Sequence, residues 1–340
     1  MSVIVAICGL VGNGFSVAAL CKPHFKSLSH RLMLCMVIAD SCFIIWRLPV
    51  LVIRGIELHF YPRIKKVPGT VYIWILACSI FFFSLSIYTR VNIAVEQFWG
   101  IAFPLRIIAR KKKWRLLMCY LIPSVFMSAG IAFARLVFEY NIYPMNHTDE
   151  HQQKLYTIYF GEIIAWIDFV VTSMIPFIII FSSFLGSAFI LYRRHAKQIA
   201  LVQLKLYQSK IYKRNLRVFW NITGIVSFFT LCHSVRIVVT FYHASVTENT
   251  RKCILSGHLP ANPNWLYVAT SINNVLLFVN CSSNYLIYCL PGTQIRSEFV
   301  KIIKLNKGSA QTHQSKFSKT NSDGKMKTKT TSVSRSMYST

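Results

Sequence analysis

Long, uninterrupted apolar runs constrain this chain more than any other feature. About seven runs of roughly 20 residues or more follow one another along its 340 residues. As a helix, each run is long enough to cross a hydrocarbon core of about 30 Å. Only helices and closed barrels satisfy their backbone hydrogen bonds in lipid. Barrel strands would alternate apolar and polar residues over about 10 positions, whereas these runs are continuously apolar. The sequence therefore predicts an all-α membrane protein.

We predict a seven-transmembrane helix bundle over residues 1–290. The first run begins at the initiator Met and has no basic segment before it, so we expect a spanning helix with little or no amino-terminal domain rather than a signal peptide. The predicted spans cover residues 1–21, 31–54, 68–98, 115–138, 160–192, 215–243 and 263–290.

Two further segments follow the bundle. In residues 291–305, Ile295, Phe299 and Ile302 recur at helical spacing among basic residues, which predicts a short amphipathic helix on the membrane surface. Residues 306–340 are rich in Ser, Thr and Lys and hold few apolar residues. We therefore expect a disordered cytoplasmic tail that kinases can phosphorylate.

The charge distribution predicts the orientation. A formal charge of +27 comes from 38 Lys and Arg against 11 Asp and Glu. In a soluble protein this balance would indicate nucleic-acid binding, but here the basic residues cluster between and after the runs, as they do in cytoplasmic loops. We therefore expect no nucleic-acid partner, a multi-pass plasma-membrane location and an extracellular amino terminus. The glycosylation sequon at Asn146 lies in a predicted outer loop, which agrees with this orientation.

Polar side chains inside the runs are candidates for function, because they are costly to place in lipid. Asp40 lies in the second run, Asn13 in the first, and Asn273, Asn274, Asn280 and Asn284 in the seventh. Two interpretations remain open. These groups form a polar network that only fixes helix packing, or the carboxylate and its neighbours bind a cation.

Several motifs in order along the chain resemble those of class A (rhodopsin-like) G-protein-coupled receptors. The resemblance covers about 290 residues and depends on the order and spacing of the motifs. The matching residues are Gly12-Asn13, Ala39-Asp40, Glu96-Gln97-Phe98 with Pro104-Leu105 after it, Pro176, and Asn284 to Tyr288.

The resemblance implies roles for these positions. Transferring the family's sodium pocket gives a metal site formed by Asp40, Ser86, Asn280 and Asn284. Coupling to a heterotrimeric G protein would use Glu96, Gln97, Phe98, Pro104 and Leu105. Asn284 and Tyr288 would form the activation motif, and the tail would be a target for kinase and arrestin.

The chain departs from the family's pattern at several positions. Gln97 replaces the arginine that contacts the G protein, and Tyr285 replaces the proline of the seventh span. Tyr72 stands where the family has the cysteine of its outer disulfide. The ten cysteines show no paired spacing, so we expect no metal or redox framework built from them.

The sixth span narrows the resemblance and suggests a peptide ligand. Phe229-x-x-Cys232-His233-x-x-Arg236 is similar to the motif of invertebrate receptors for FMRFamide-type neuropeptides. Ser79 replaces the aspartate of amine receptors, and Phe278 replaces the lysine of opsins. If the peptide ends in Arg-Phe-amide, an acid would pair with its guanidinium, for which Asp168, Glu162 and Glu57 are candidates. The predicted ligand-binding residues are Ser79, Glu162, Asp168, His233, Arg236 and Asn274.

Three alternatives compete with a peptide receptor. Gln97 suggests an orphan chemosensory or poorly coupling seven-helix receptor. A transporter would usually show repeats with broken helices, which the sequence lacks. An intramembrane enzyme needs paired catalytic groups, whereas His233 and His243 lie ten residues apart without evident partners. We therefore expect no enzymatic activity, and no bound group other than sodium.

Overall fold

The fold is helical throughout the part of the chain that the structure, a computed structural model, describes. No strand occurs among these residues. The helices are α1 (Ser2–Leu20), α2 (Leu28–Phe60), α3 (Gly69–Ala102) and α4 (Lys113–Ile142). Helix α5 has three parts, which are helical residues 163–167, a π-helix (Asp168–Met174) and an α-helix (Ile175–Ala200). Helix α6 covers the described positions of 223–246, and α7 is Asn264–Ser282. The described residues are 2–22, 27–60, 69–103, 113–142, 163–200, 223–224, 226–242, 244–246 and 263–284.

Five of these helices are long and apolar enough to cross a membrane. Their apolar stretches are Val3–Leu20, Leu28–Ile53, Thr70–Ala102, Trp114–Val137 and Ile163–Arg194. The prediction of apolar spanning helices is confirmed for α1 to α5. The sixth and seventh spans stay predictions. The longest continuous described stretch of α6 is short, and several Asn, Ser and Thr side chains lower the hydropathy of α7. The amphipathic segment 291–305 and the tail 306–340 lie outside the described residues.

The outer surface of the bundle is apolar and aromatic. Large side chains such as Ile4, Trp74, Phe126 and Phe189 are exposed, whereas Asp40, Arg90 and other polar groups are buried between the helices. A soluble protein would place these two classes the other way round. This surface suits lipid, as the apolar runs predict.

Helix α3 lies at the centre of the described bundle. It packs against α2, α4 and α5, while α1 packs against α2 and α7. One core cluster joins α1, α2, α3 and α7 around Phe43, Phe83 and Phe278. Another joins α3, α5 and α6 around Ile101, Ile180 and Phe229. Because α3 contacts both clusters, its polar side chains can meet groups from most of the other helices.

Pro176 lies just after the π-helix within α5. The Ile175 N–H donates to the carbonyl of Val170, five residues earlier, as in a π-helix. The next such bond would run from residue 176 to Val171, but proline has no N–H. The Tyr88 hydroxyl of α3 donates to the Val171 carbonyl instead, at 3.0 Å. The end of the π-helix therefore depends both on Pro176, which supplies no N–H, and on Tyr88 of α3, which bonds one of its carbonyls.

Candidate functional site

Asp40 is the centre of a buried polar cluster between α2, α3 and α7. The Ser86 hydroxyl donates to Oδ1, and the Asn284 amide donates to Oδ2. Arg90, one turn after Ser86 on α3, donates to Oδ2 at 2.8 Å and forms an ion pair with the carboxylate. Asp40 is 0% exposed and Arg90 is 3% exposed, so the two charges neutralise each other away from solvent.

The cluster agrees only in part with the predicted sodium site. Asp40, Ser86 and Asn284 come together as the sequence predicted, but Asn280 has a different partner. The positive charge beside Asp40 comes from the Arg90 guanidinium. A sodium ion at the same carboxylate would place two cations about 4 Å apart, where like charges repel by roughly 4 kcal/mol even at an effective dielectric of 20. The residues present therefore do not fit a sodium ion unless Arg90 moves.

Asn280 connects α7 to His233 on α6. Its amide nitrogen lies 3.3 Å from Nε2 of the imidazole. The two groups are therefore within hydrogen-bonding distance of each other. Asn280 lies one helical turn before Asn284, which donates to Asp40. Polar contacts thus continue from α6 through α7 to the Asp40–Arg90 ion pair.

His233 is itself held between two phenylalanines. Its ring stacks on Phe229, with centroids 4.1 Å apart, and lies nearly parallel to Phe83 of α3 at 6.1 Å. The side chain is 1% exposed. A histidine in this position serves packing and polar contact together.

A cavity of about 240 Å³ lies beside Phe83, between six of the helices. We call it the arginine-lined cavity, because three arginines and a single aspartate contribute its charged groups among the described residues. Apolar side chains and three small polar ones complete its wall. The lining residues are Phe43, Arg47, Leu76, Ser79, Ile80, Phe83, Ser84, Arg135, Asp168, Arg236, Asn273 and Leu277.

Arg236 is anchored by the π-helix. Its Nη2 lies 3.0 Å from the Thr172 hydroxyl and 3.4 Å from the Asp168 carboxylate, and its Nε lies 3.4 Å from Ser173. The guanidinium also lies over the Phe83 ring, 4.3 Å from its centroid, in a cation–π contact. Two predicted ligand-binding residues, Asp168 and Arg236, therefore bind each other.

The other predicted ligand-binding residues do not lie together at one site. Ser79 lines the arginine-lined cavity, but its hydroxyl donates to a carbonyl of its own helix. Asn274 lines a second pocket between α1, α2 and α7, where it accepts a hydrogen bond from Arg47 at 3.1 Å. Glu162 lies outside the described residues, as does the side chain of Glu57.

The end of α3 that carries Glu96 is a separate region. Tyr120 of α4 donates to the Glu96 carboxylate at 3.1 Å. Gln97 is buried, and its Oε1 has no hydrogen-bond partner among the described residues. The Phe98 ring packs so closely on α5 that a Cβ at Gly186 would lie 2.7 Å from it. The described residues do not include Pro104, Leu105, Tyr288 or Asn146, so the roles predicted for these four positions stay predictions.

Sequence reasoning missed the arginines. Arg47, Arg90 and Arg135 stand inside apolar runs, where a charge is as unusual as it is at Asp40. The same rule that selected the buried acid and amides would have selected these three. Comparison with models of known protein families and with curated proteins gave no match.

Proposed function

We propose that this protein is a class A G-protein-coupled receptor for an extracellular peptide. The observation that carries the proposal is the polar path between the arginine-lined cavity and the Asp40–Arg90 ion pair. A helical bundle with a small cavity connected to a buried polar centre has the parts that a two-state receptor needs. The motif order along the sequence supports the same conclusion.

The path suggests how a ligand would act. A ligand that contacts Arg236 or Phe83 changes the surroundings of His233, because Phe83 lies against both. His233 contacts Asn280 of α7, and Asn284, just beyond the end of α7, donates to Asp40. If the ligand bound one of two arrangements of these groups better than the other, it would shift the equilibrium toward the arrangement that it prefers. Ser86 and Arg90 of α3 both bind Asp40. A change around Asp40 would therefore reach α3, which carries Glu96 and Gln97 near its end.

The direct test is ligand-dependent G-protein activation by the full chain. Cells expressing a surface-tagged protein would be exposed to a library of short peptides, each made with a free carboxyl end and with an amide end. Calcium and cAMP responses are the readout, and vector-transfected cells are the control. Responses in expressing cells alone are expected. Silence across the library, with surface expression verified by the tag, would count against the proposal.

Gln97 supports a second candidate, a receptor of this type that couples poorly. Its buried amide supplies no positive charge at the position where the family has an arginine, and its Oε1 has no partner among the described residues. We propose Gln97→Arg as the test, with the uncharged Gln97→Met as a matched control. Poor coupling predicts larger G-protein responses for Gln97→Arg alone. Equal responses from both variants and the unchanged protein would sink this candidate.

A further inference from the structure

Two buried polar groups in the wall of the arginine-lined cavity lack a hydrogen-bond partner. The Ser84 side chain of α3 is 1% exposed, and its hydroxyl has no partner among the described residues. The side-chain oxygen of Asn273 on α7 is also buried and has none in that part of the chain. Both residues line the cavity. Since buried polar atoms in folded proteins are nearly always hydrogen-bonded, the two groups point to a ligand in the cavity.

Other buried serines of the described helices bond to their own backbone. Ser79, which lines the same cavity, donates to the Leu76 carbonyl at 2.8 Å. Ser128 and Ser187 each donate to a carbonyl four residues earlier at 2.7 Å. A helical serine can make such a bond without any help from a neighbouring helix. The Ser84 hydroxyl makes none in the described structure, so it stays available to a group in the cavity.

The two groups define the hydrogen bonds that a ligand has to make. The Asn273 oxygen only accepts, so the ligand must donate to it, whereas the Ser84 hydroxyl can donate to the ligand. A carboxylate would leave the Asn273 oxygen without a donor, and an ammonium would leave the Ser84 O–H without an acceptor. A primary carboxamide has two N–H donors, so one of them would need a third partner. A hydroxyl donates one hydrogen bond and accepts another, which meets both requirements.

The apolar part of the wall favours an aromatic ring next to that hydroxyl. Phe43 and Phe83 lie beside each other in the wall, with ring centroids 5.2 Å apart. Leu76, Ile80 and Leu277 add aliphatic contacts. A third ring can pack edge-on or offset against such a pair. The cavity volume of about 240 Å³ is below the roughly 300–1,000 Å³ of sites that enclose a drug-sized molecule, so it would hold one side chain and not a whole peptide.

A neutral ligand group also suits the charged groups of the wall. Asp168 and Arg236 lie 3.4 Å apart and neutralise each other, and Arg47 donates to the Asn274 side chain. The two groups that lack a partner are themselves neutral. A hydroxyl satisfies them without taking a further charge out of water.

We propose that the arginine-lined cavity binds an aromatic ring that carries a hydroxyl, presented by a tyrosine side chain of the peptide ligand. This inference rests on the proposed receptor function and specifies its ligand. The phenol donates to the Asn273 oxygen and accepts from the Ser84 hydroxyl, and its ring packs against Phe43 and Phe83. The sequence expectation was a peptide arginine that pairs with an acid of the receptor. Asp168, the described candidate for that acid, already has an arginine partner.

Direct binding to the purified full chain in detergent tests the inference without a G protein. The probes are acetylated and amidated tetraglycines in which tyrosine, O-methyltyrosine, phenylalanine or glutamine replaces each glycine in turn. Thermal-shift titration gives a Kd for each probe. At the best position, we expect tyrosine to bind at least about tenfold more tightly than the other three, which is about 1.4 kcal/mol. O-Methyltyrosine separates the two hydrogen bonds, because its ether oxygen accepts but cannot donate.

A small phenol is the other possible source of the same chemistry. The probe is 4-ethylphenol, with 4-ethylanisole as its control without an O–H donor. If 4-ethylphenol binds as tightly as the best tyrosine peptide, the ligand is a small aromatic alcohol, which overturns the peptide part of the proposal.

Variants locate the effect in the cavity. Ser84→Ala and Asn273→Leu should each lower the ratio of tyrosine to phenylalanine binding by about three- to tenfold, as the loss of one hydrogen bond predicts. Ser128→Ala is the matched control for Ser84→Ala. Ser128 is 0% exposed, but its hydroxyl bonds to the Ser124 carbonyl and it does not line the cavity, so the ratio should not change.

Several results would overturn the inference. These are equal binding of the tyrosine and phenylalanine peptides, tighter binding of the O-methyltyrosine or glutamine peptides, no binding of any probe at millimolar concentration, or a ratio that neither cavity variant changes.

The outcomes separate this inference from the proposed function. Preferential binding of tyrosine peptides without any G-protein response would leave the cavity assignment standing and refute the receptor proposal. Signalling only by peptides that contain no tyrosine would do the opposite.

Discussion

Replacing Arg90 by methionine should strongly destabilise the protein, because it leaves the Asp40 carboxylate buried without this counter-charge. Asp40 is 0% exposed and its ion pair with Arg90 measures 2.8 Å, so the carboxylate is compensated by this guanidinium and not by bulk solvent. Removing one member of a buried pair typically costs about 3–5 kcal/mol. Asp40→Asn should cost a similar amount, since it leaves the buried guanidinium without this carboxylate.

The double variant distinguishes pairing from other effects of these substitutions. With both charges of the pair removed, neither is left uncompensated, so Arg90→Met with Asp40→Asn should cost at least about 2 kcal/mol less than the sum of the single variants. Thr89→Val is the matched control. It stands beside Arg90 and is equally buried, but its hydroxyl bonds to its own helix, so its effect should add to that of Asp40→Asn. Unfolding in mixed micelles, followed by tryptophan fluorescence, measures the free energies of unfolding.

Sodium provides an independent readout of the same site. The wild-type protein should unfold at the same point in sodium chloride and in choline chloride of equal ionic strength, because Arg90 already neutralises Asp40. In Arg90→Met the carboxylate is available to a cation, and sodium should stabilise the protein. Additive single variants would refute the ion-pair reasoning. Sodium stabilisation of the wild type as large as that of Arg90→Met would show that the ion binds despite Arg90.

Three further substitutions test the packing and the polar path. Gly9→Ala should destabilise the protein by about 1–3 kcal/mol, because a Cβ at position 9 would lie 2.7 Å from Cβ of Ser282 on α7. Gly14→Ala is the control and should be neutral or slightly stabilising, because a Cβ there has nothing within 4 Å. Equal effects of the two substitutions in thermal unfolding would contradict the close approach of α1 and α7. Tyr88→Phe should cost about 1–3 kcal/mol by leaving the π-helix carbonyl without its donor, and an unchanged unfolding midpoint would show that another group replaces it. His233→Phe should keep the aromatic stack and the surface expression but reduce the peptide-stimulated G-protein response, and a normal response would exclude the histidine from the path.

The sequence predicted the helices well because their cause is local. Continuous apolar runs of spanning length have few alternatives in lipid, and α1 to α5 follow the predicted spans within a few residues except at the far ends of α2 and α5. The buried acid was also predictable, since Asp40 interrupts such a run. The π-helix was not predicted, although Pro176 was noted, because its form depends on a hydroxyl that Tyr88 donates from another helix.

The partner of Asp40 was beyond the sequence argument for a different reason. Ser86, Arg90 and Asn284 all reach its carboxylate, and they stand 46, 50 and 244 residues away along the chain. A family pattern supplied the first and the last of these three but not the arginine, which stands one turn after Ser86 on the same face of α3. An arginine in an apolar run requires a nearby anion, and Asp40 in the neighbouring run is a described acid that needs a cation. The cost of a buried charge applies to Arg90 as well as to Asp40. Used for both residues, this rule predicts the Asp40–Arg90 pair from the sequence.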